Sequence, residues 1–205
     1  MSNLEASNLF SVKDLVVVIT GGGTGIGLMM AKALDANGAK VYVIGRRKEP
    51  LEAAAKQAKN QNIHPLVGDI TSQSSLSSLA SEISSQNPYI NVLIANAGTY
   101  AYGPSKAATV HMVKQIATMF APYQIRANVI APGLYPSEMT SDIFAENDGW
   151  EEGSMPPEQI PAKRAGREED MAGVVLFLCS KAGAYLDGNV VVSDGGRLGV
   201  VPSTY

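Results

Sequence analysis

Tyr102 and Lys106 stand four residues apart in "YGPSK", at the head of a stretch in which Ala107, Val110, Val113 and Ala117 recur at helical intervals. A helix there would carry both side chains on one face, and Pro104 suits its first turn. A phenol with an ordinary pKa of about 10 exchanges protons poorly near neutral pH. An ammonium held beside it favours the tyrosinate. The two residue types are compatible with acid-base chemistry. Tyr and Lys at this spacing also occur on ordinary helices, so the reading depends on what surrounds them.

The stretch "VVVITGGGTGIG" is a second source of chemistry. Gly21, Thr24, Gly25, Ile26 and Gly27 lie directly after an apolar run and directly before a helical pattern. Glycines let the backbone turn sharply and approach a pyrophosphate, while a helix N-terminus offers unpaired N–H groups and a favourable dipole. The next apolar run ends "VIGRR", so Gly45 stands where an acidic residue would hold the ribose 2'-hydroxyl of NAD, and Arg46 and Arg47 follow at once. Guanidinium groups at that place suit the 2'-phosphate of NADP. The alternative is that both arginines cap a strand at the surface.

These residues need a scaffold, and the pattern of the chain supplies one. Runs rich in Val and Ile at 15–20, 40–45, 64–70, 91–98, 125–133 and 188–196 read as buried strands covered on both faces. Helical stretches lie between them, at 28–38, 49–61 and 105–120, together with a serine-decorated helix in which Leu76, Leu79 and Ile83 keep an apolar stripe. Alternating strands and helices predict an α/β fold with a doubly wound parallel sheet. The length of 205 residues favours a single domain, 1–205.

From Leu134 to Ala162 there are seven acidic residues and no Lys or Arg, with Pro136, Pro156, Pro157, Pro161 and the single Trp150. This turn-rich segment, about 134–165, reads as a lid or substrate loop. Its outer face reads equally well as an acidic solvated surface. The net charge of -3 gives no basic footprint for nucleic acid, and no apolar run has the length to span a membrane. The first residues lack the pattern of a secretory signal, so the expected location is cytoplasmic. Cys179 is the only cysteine, which excludes an internal disulfide and a cysteine-rich metal site; no metal is expected. It reads as a core filler. His64 and His111 read as structural.

Taken together, "TGGGTGIG", Asp69 after the third run, "NAG" after the fourth, "YGPSK", "NVIAPG" and "SDGG" occur in the order found in the short-chain dehydrogenase/reductase family, which the chain resembles from about Lys13 to Gly196. The resemblance implies a Rossmann-like NAD(P)-binding domain and an oxidoreductase that interconverts a carbonyl and a secondary alcohol by hydride transfer, here with NADP (NADPH). It implies that Tyr102 is the catalytic acid/base, and that Lys106 supports it and holds the nicotinamide ribose. Asp69 and Ile70 would border the adenine, and Asn96, Ala97 and Gly98 would line the ribose and nicotinamide side. Pro132 and Gly133 would end a strand at the cofactor edge, with Ser137 near the carboxamide. Asp69 as an ordinary turn residue and Ser137 as a surface serine are the competing readings. "NVIAPGLYPSEMT" is similar to 3-oxoacyl carrier-protein reductases, but like charges would oppose an acidic carrier approaching the acidic segment. A small neutral ketone, polyol or secondary alcohol is the expected partner.

One departure from the family stands out. Between "NAG" and Tyr102 lie only Thr99, Tyr100 and Ala101, where the family has a helix and a strand that bring the catalytic serine and a supporting asparagine. A strand-helix-strand unit takes roughly thirty residues or more, so no residue inherits the serine's role. The expected sheet is one strand narrower than the family norm. The missing helix is one of the family's usual oligomer contacts, which leaves a homo-oligomer open. A truncated form and a natural relative that no longer needs catalysis fit the sequence equally well.

Overall fold

A computed structural model describes residues 4–97, 102–142 and 153–200, with the backbone alone for 102–106 and 139. The chain divides into two compact units, 1–98 and 99–205.

The first unit runs α1 (Ala6–Leu9), β1 (Val16–Thr20), α2 (Gly25–Ala36), β2 (Lys40–Gly45), α3 (Lys48–Lys56), β3 (Ile63–Val67), α4 (Gln73–Gln86) and β4 (Val92–Ala95). Its strands form a parallel sheet in the order β3-β2-β1-β4. Val18 is paired with Tyr42 on one side and Leu93 on the other, which places the four strand ends along one edge. Side chains alternate between the faces. Val18, Tyr42, Ile44 and Leu66 pack with Leu79 and Ile83 of α4 on one face, and α2 and α3 pack against β2.

Local chemistry sets the helix bounds. α2 stops at Asn37, whose side chain donates to the Ala33 carbonyl, and Gly38 follows with φ of 88°. That left-handed conformation favours glycine. α3 has Pro50 and Glu49 in its first turn and Lys56 in its last, which suits the helix dipole. Ser72 caps α4 by accepting from the Ser75 amide.

Asp35 near the end of α2 is fully buried and ties the turn before β3 to that helix. Its carboxylate accepts the amides of Asn60 and Asn62 at 3.0 and 2.9 Å, and its carbonyl accepts from the Asn60 side chain at 2.6 Å.

The second unit comprises α5 (Tyr102–Phe120), β5 (Val129–Pro132), α6 (Glu168–Cys179) and β6 (Val190–Ser193), with short 3-10 turns between them. β5 and β6 form a parallel pair, from Val129 opposite Val190 to Pro132 opposite Ser193. Arg126 donates to the carbonyls of Leu178 and Leu186, which binds the end of α6 and the approach to β6 to the start of β5. Within the acidic segment, residues 143–152 with Trp150 lie outside the described part. In the remainder Met155, Ile160 and Ala165 form a small core with Leu134, while 153, 154, 156–159 and 161–163 are exposed.

The six strands among the described residues lie within the six apolar runs or one residue from them. Coverage on both faces holds for β1 and β2 only. β3 and β4 end the four-stranded sheet, and Leu93 of β4 is 67% exposed. β5 and β6 are likewise only partly covered. α6 was not foreseen as a helix. Its apolar residues surround the axis, and its clearest signal is the acidic first turn of Glu168, Glu169 and Asp170. Cys179 at its end is a half-covered side chain whose thiol is pushed up to about 11 by burial, which suits a packing role.

Two stability tests follow from the first unit. Asp35→Ala leaves two amides at the turn before β3 without their acceptor and empties a buried site, and is expected to lower unfolding free energy by roughly 1–3 kcal/mol in urea melts. His64 stacks on Tyr42 with ring centroids 5.2 Å apart, and burial, then Lys40, lower its pKa. The unfolded state then binds the proton more readily, so stability is intact above the ordinary histidine range and declines as pH falls through it. His64→Gln is expected to flatten that decline in melts taken between pH 7.5 and 5.

Candidate functional site

The parallel sheet of the first unit brings the glycine-rich turn, Arg46, Arg47, Asp69, Ile70, Asn96 and Ala97 to the carboxyl ends of β1 to β4, the edge where such sheets bind ligands. Gly21 leaves β1 with φ of 67° and its amide donates to the Ile44 carbonyl at 2.7 Å. Gly25 opens α2 with φ of 53°. Thr24 is the N-cap residue, but its side chain makes no capping bond. No side-chain cap competes with a ligand for the amides of Gly25, Ile26 and Gly27.

Gly27 is fixed by contact. A Cβ at this position would collide with the Gly21 carbonyl and come within 2.6 Å of the Asn96 amide nitrogen. Asn96 itself donates from Nδ2 to the Gly21 carbonyl at 3.1 Å. Thr20 was not singled out in the sequence, although it opens the glycine motif. Its hydroxyl oxygen accepts the amides of Asn96 and Ala97 at 3.1 and 3.2 Å. The turn after β1 and the turn after β4 are therefore laced together.

Arg46 and Arg47 are both exposed after β2, and Arg47 is also the N-cap residue of α3. Asp69 accepts the Thr71 amide at 2.9 Å and the Thr71 hydroxyl at 2.7 Å, and its own amide donates to Ser75 Oγ. Those two bonds from Thr71 hold the carboxyl below its ordinary range, with the Arg46 charge adding to the effect. Ile70 beside it is 38% exposed, an apolar side chain open to contact. The close-approach glycines and the uncapped helix start together suit a pyrophosphate, and the exposed arginines add cations at the same edge.

In the second unit, Tyr102 and Lys106 both lie in the first turns of α5, as the helical spacing requires. Their side chains lie outside the described part, as does Gly98. Pro132 ends β5, and the Gly133 amide donates to the Ser193 carbonyl at 2.9 Å. Gly133 leaves no room for a Cβ against Asp194. The Ser137 hydroxyl pairs with Thr140 Oγ1 at 3.0 Å and caps a 3-10 turn.

A cavity of about 280 Å³ lies among Tyr135, Ile160, Arg164, Asp170, Ser193 and Gly195. Arg164 and Asp170 make a two-pronged ion pair on its wall. The Tyr135 hydroxyl meets Ser193 Oγ at 2.6 Å, and burial raises its pKa. Pro132, Gly133 and Ser137 are not among its lining residues.

The profile of a family described as short chain dehydrogenase matches residues 15–101, and that of a family described as Enoyl-(Acyl carrier protein) reductase matches 98–197. The two matches meet where the chain passes from "NAG" to Tyr102. The short-chain dehydrogenase/reductase PhomF of Diaporthe leptostromiformis is 40% identical over 286 aligned positions, covering 99% of this chain and 98% of that protein. VdtF of Byssochlamys spectabilis, which carries the same family name, is 32% identical, with 98% of each chain covered. Since 286 positions exceed the 205 residues here by 81, at least 81 positions of the PhomF alignment have no counterpart in this chain. A structure described as the Pseudomonas aeruginosa RhlG/NADP active-site complex superposes with a TM-score of 0.83 at 28% identity, over 92% of this chain and 98% of that one.

Gly27→Ala places a methyl group against backbone that cannot yield, so it is expected to abolish any thermal shift given by an added nicotinamide dinucleotide. A melt of the variant with and without nucleotide checks this.

Proposed function

The chain belongs to the short-chain dehydrogenase/reductase family, and on that premise we propose that it is an NADP-dependent oxidoreductase that interconverts a carbonyl and a secondary alcohol. The observation that carries the cofactor assignment is the end of β2, where Gly45 takes the place of an acidic residue and the exposed Arg46 and Arg47 follow. The RhlG structure with NADP is a supporting likeness. In this reading the whole chain acts as one NAD(P)-binding domain, and 134–165 borders the substrate. A small neutral ketone, polyol or secondary alcohol, met in the cytoplasm, is the substrate class. No helix among the described residues is long and apolar enough to cross a membrane.

Bound NADPH would supply the hydride. The amides at the start of α2 hold its pyrophosphate, Arg46 and Arg47 its 2'-phosphate, Asp69 and Ile70 border its adenine, and Asn96, Ala97 and Gly98 line its ribose. Tyr102 delivers a proton from its hydroxyl to the carbonyl oxygen and takes it back in the reverse direction. Lys106, one helical turn on, favours the tyrosinate by its charge and binds the nicotinamide ribose. Pro132, Gly133 and Ser137 border the carboxamide.

No residue of this chain stands for the family's catalytic serine. Loss of one donor to a developing oxyanion reduces turnover by about a hundredfold to a thousandfold, so residual activity is the expected level. The aligned positions without a counterpart also favour a second reading, a nucleotide-binding protein without useful catalysis.

Melts test the nucleotide site that both readings share, and turnover separates the two. NADPH at about a hundred times its dissociation constant is expected to add roughly 2.7 kcal/mol of stability, and more than NADH at the same concentration. Tyr102→Phe is expected to remove residual turnover while that shift is retained. An unchanged rate in Tyr102→Phe would favour the second reading, and the absence of any shift would remove both.

A further inference from the structure

We propose that Asp69 sets the degree of preference for the phosphorylated nucleotide by competing with the 2'-phosphate for Arg46. This inference rests on the assignment of Arg46 to that phosphate. β2 and β3 run parallel, with Gly45 opposite Val67, and the Gly68 amide donates to the Gly45 carbonyl at 2.9 Å as the last rung between them. Neighbouring strands lie about 4.8 Å apart. Arg46 follows directly on one strand, and Asp69 follows Gly68 on the other. The sheet thus brings an arginine and an aspartate to neighbouring strand ends at its binding edge, close enough for their charges to act on each other though they make no ion pair.

The carboxylate is also held in place. One oxygen, Oδ1, receives both the amide and the hydroxyl of Thr71, while the Asp69 amide is anchored on Ser75 Oγ. The other oxygen makes no hydrogen bond among the described residues. Arg46 is exposed on a long side chain and can turn toward either anion. Consistent with this, its charge acts on the titration of Asp69. With a plain ribose 2'-hydroxyl nearby, Arg46 is free to turn toward Asp69. With a 2'-phosphate, it must divide its attraction, so the carboxylate reduces what the phosphate gains. Asp69 is in this sense a brake on cofactor preference.

The test is a fluorescence titration of NADPH and NADH against the wild-type chain, Asp69→Asn, Arg46→Gln and the double variant. Asn retains an acceptor for Thr71 and removes only the charge. Asp69→Ser, another uncharged turn former, should behave alike. The adenine is common to both nucleotides, so the ratio of their dissociation constants cancels any change in adenine contact. The expected result is a roughly threefold to tenfold rise in preference for NADPH in Asp69→Asn, and no rise when the same change is made on Arg46→Gln. A ratio that stays level or falls in Asp69→Asn overturns the proposal, as does an equal rise without Arg46, which would mean direct repulsion of the phosphate. If the wild-type chain binds neither nucleotide, the cofactor assignment itself falls; if it binds both and the ratio ignores Asp69, only this inference does.

Discussion

The first unit depends on the lacing of two turns. Thr20 ends β1 with its hydroxyl oxygen facing the amides of Asn96 and Ala97, and Asn96 returns a bond to the Gly21 carbonyl. Gly27 then brings α2 so close that any side chain would strike the same carbonyl. A glycine loop is flexible by composition. Here it is fixed by neighbours on three sides, including Gly22 against Val43. The helix start is therefore presented at one position, which keeps the cost of ordering an anion site out of the binding step.

Much of this was legible in the sequence, for physical reasons. Buried strands of a parallel sheet must be apolar without alternation, and β1 and β2 are. The motif glycines announced themselves because a strand followed at once by a helix leaves no other residue type for so sharp a turn. Thr20 escaped notice because a threonine at a strand end has many uses, and its partners lie some 76 residues onward. α6 escaped because a helix that is apolar all round has no stripe to read, and Asp170 does its capping through Arg167 and Arg164. Ser137 was legible as a polar residue after β5, but its bond to Thr140 is a matter of turn geometry.

The short passage from "NAG" to Tyr102 was visible by counting alone, and the alignment with PhomF has at least 81 positions that this chain does not fill. The structure adds a physical correlate. β4 pairs only with β1 among the described residues, and its uncharged sequence VLIA leaves Leu93 largely in solvent. Natural edge strands are usually shielded by charge, proline or a bulge. This one has the composition of an interior strand, as expected where a neighbour belongs in the family pattern.

The division at residue 98 bears on how the protein is made. Every rung between β1 and β4, the Thr20 and Asn96 bonds, and the buried Asp35 tie all close within the first 97 residues. During synthesis the first half can thus complete its internal contacts while the remaining half is still being added, since chains fold unit by unit from the N-terminus. A cut or splice at the junction leaves that half's bonding untouched. What such a lesion alters is the second half, which opens with α5 and carries Tyr102 and Lys106.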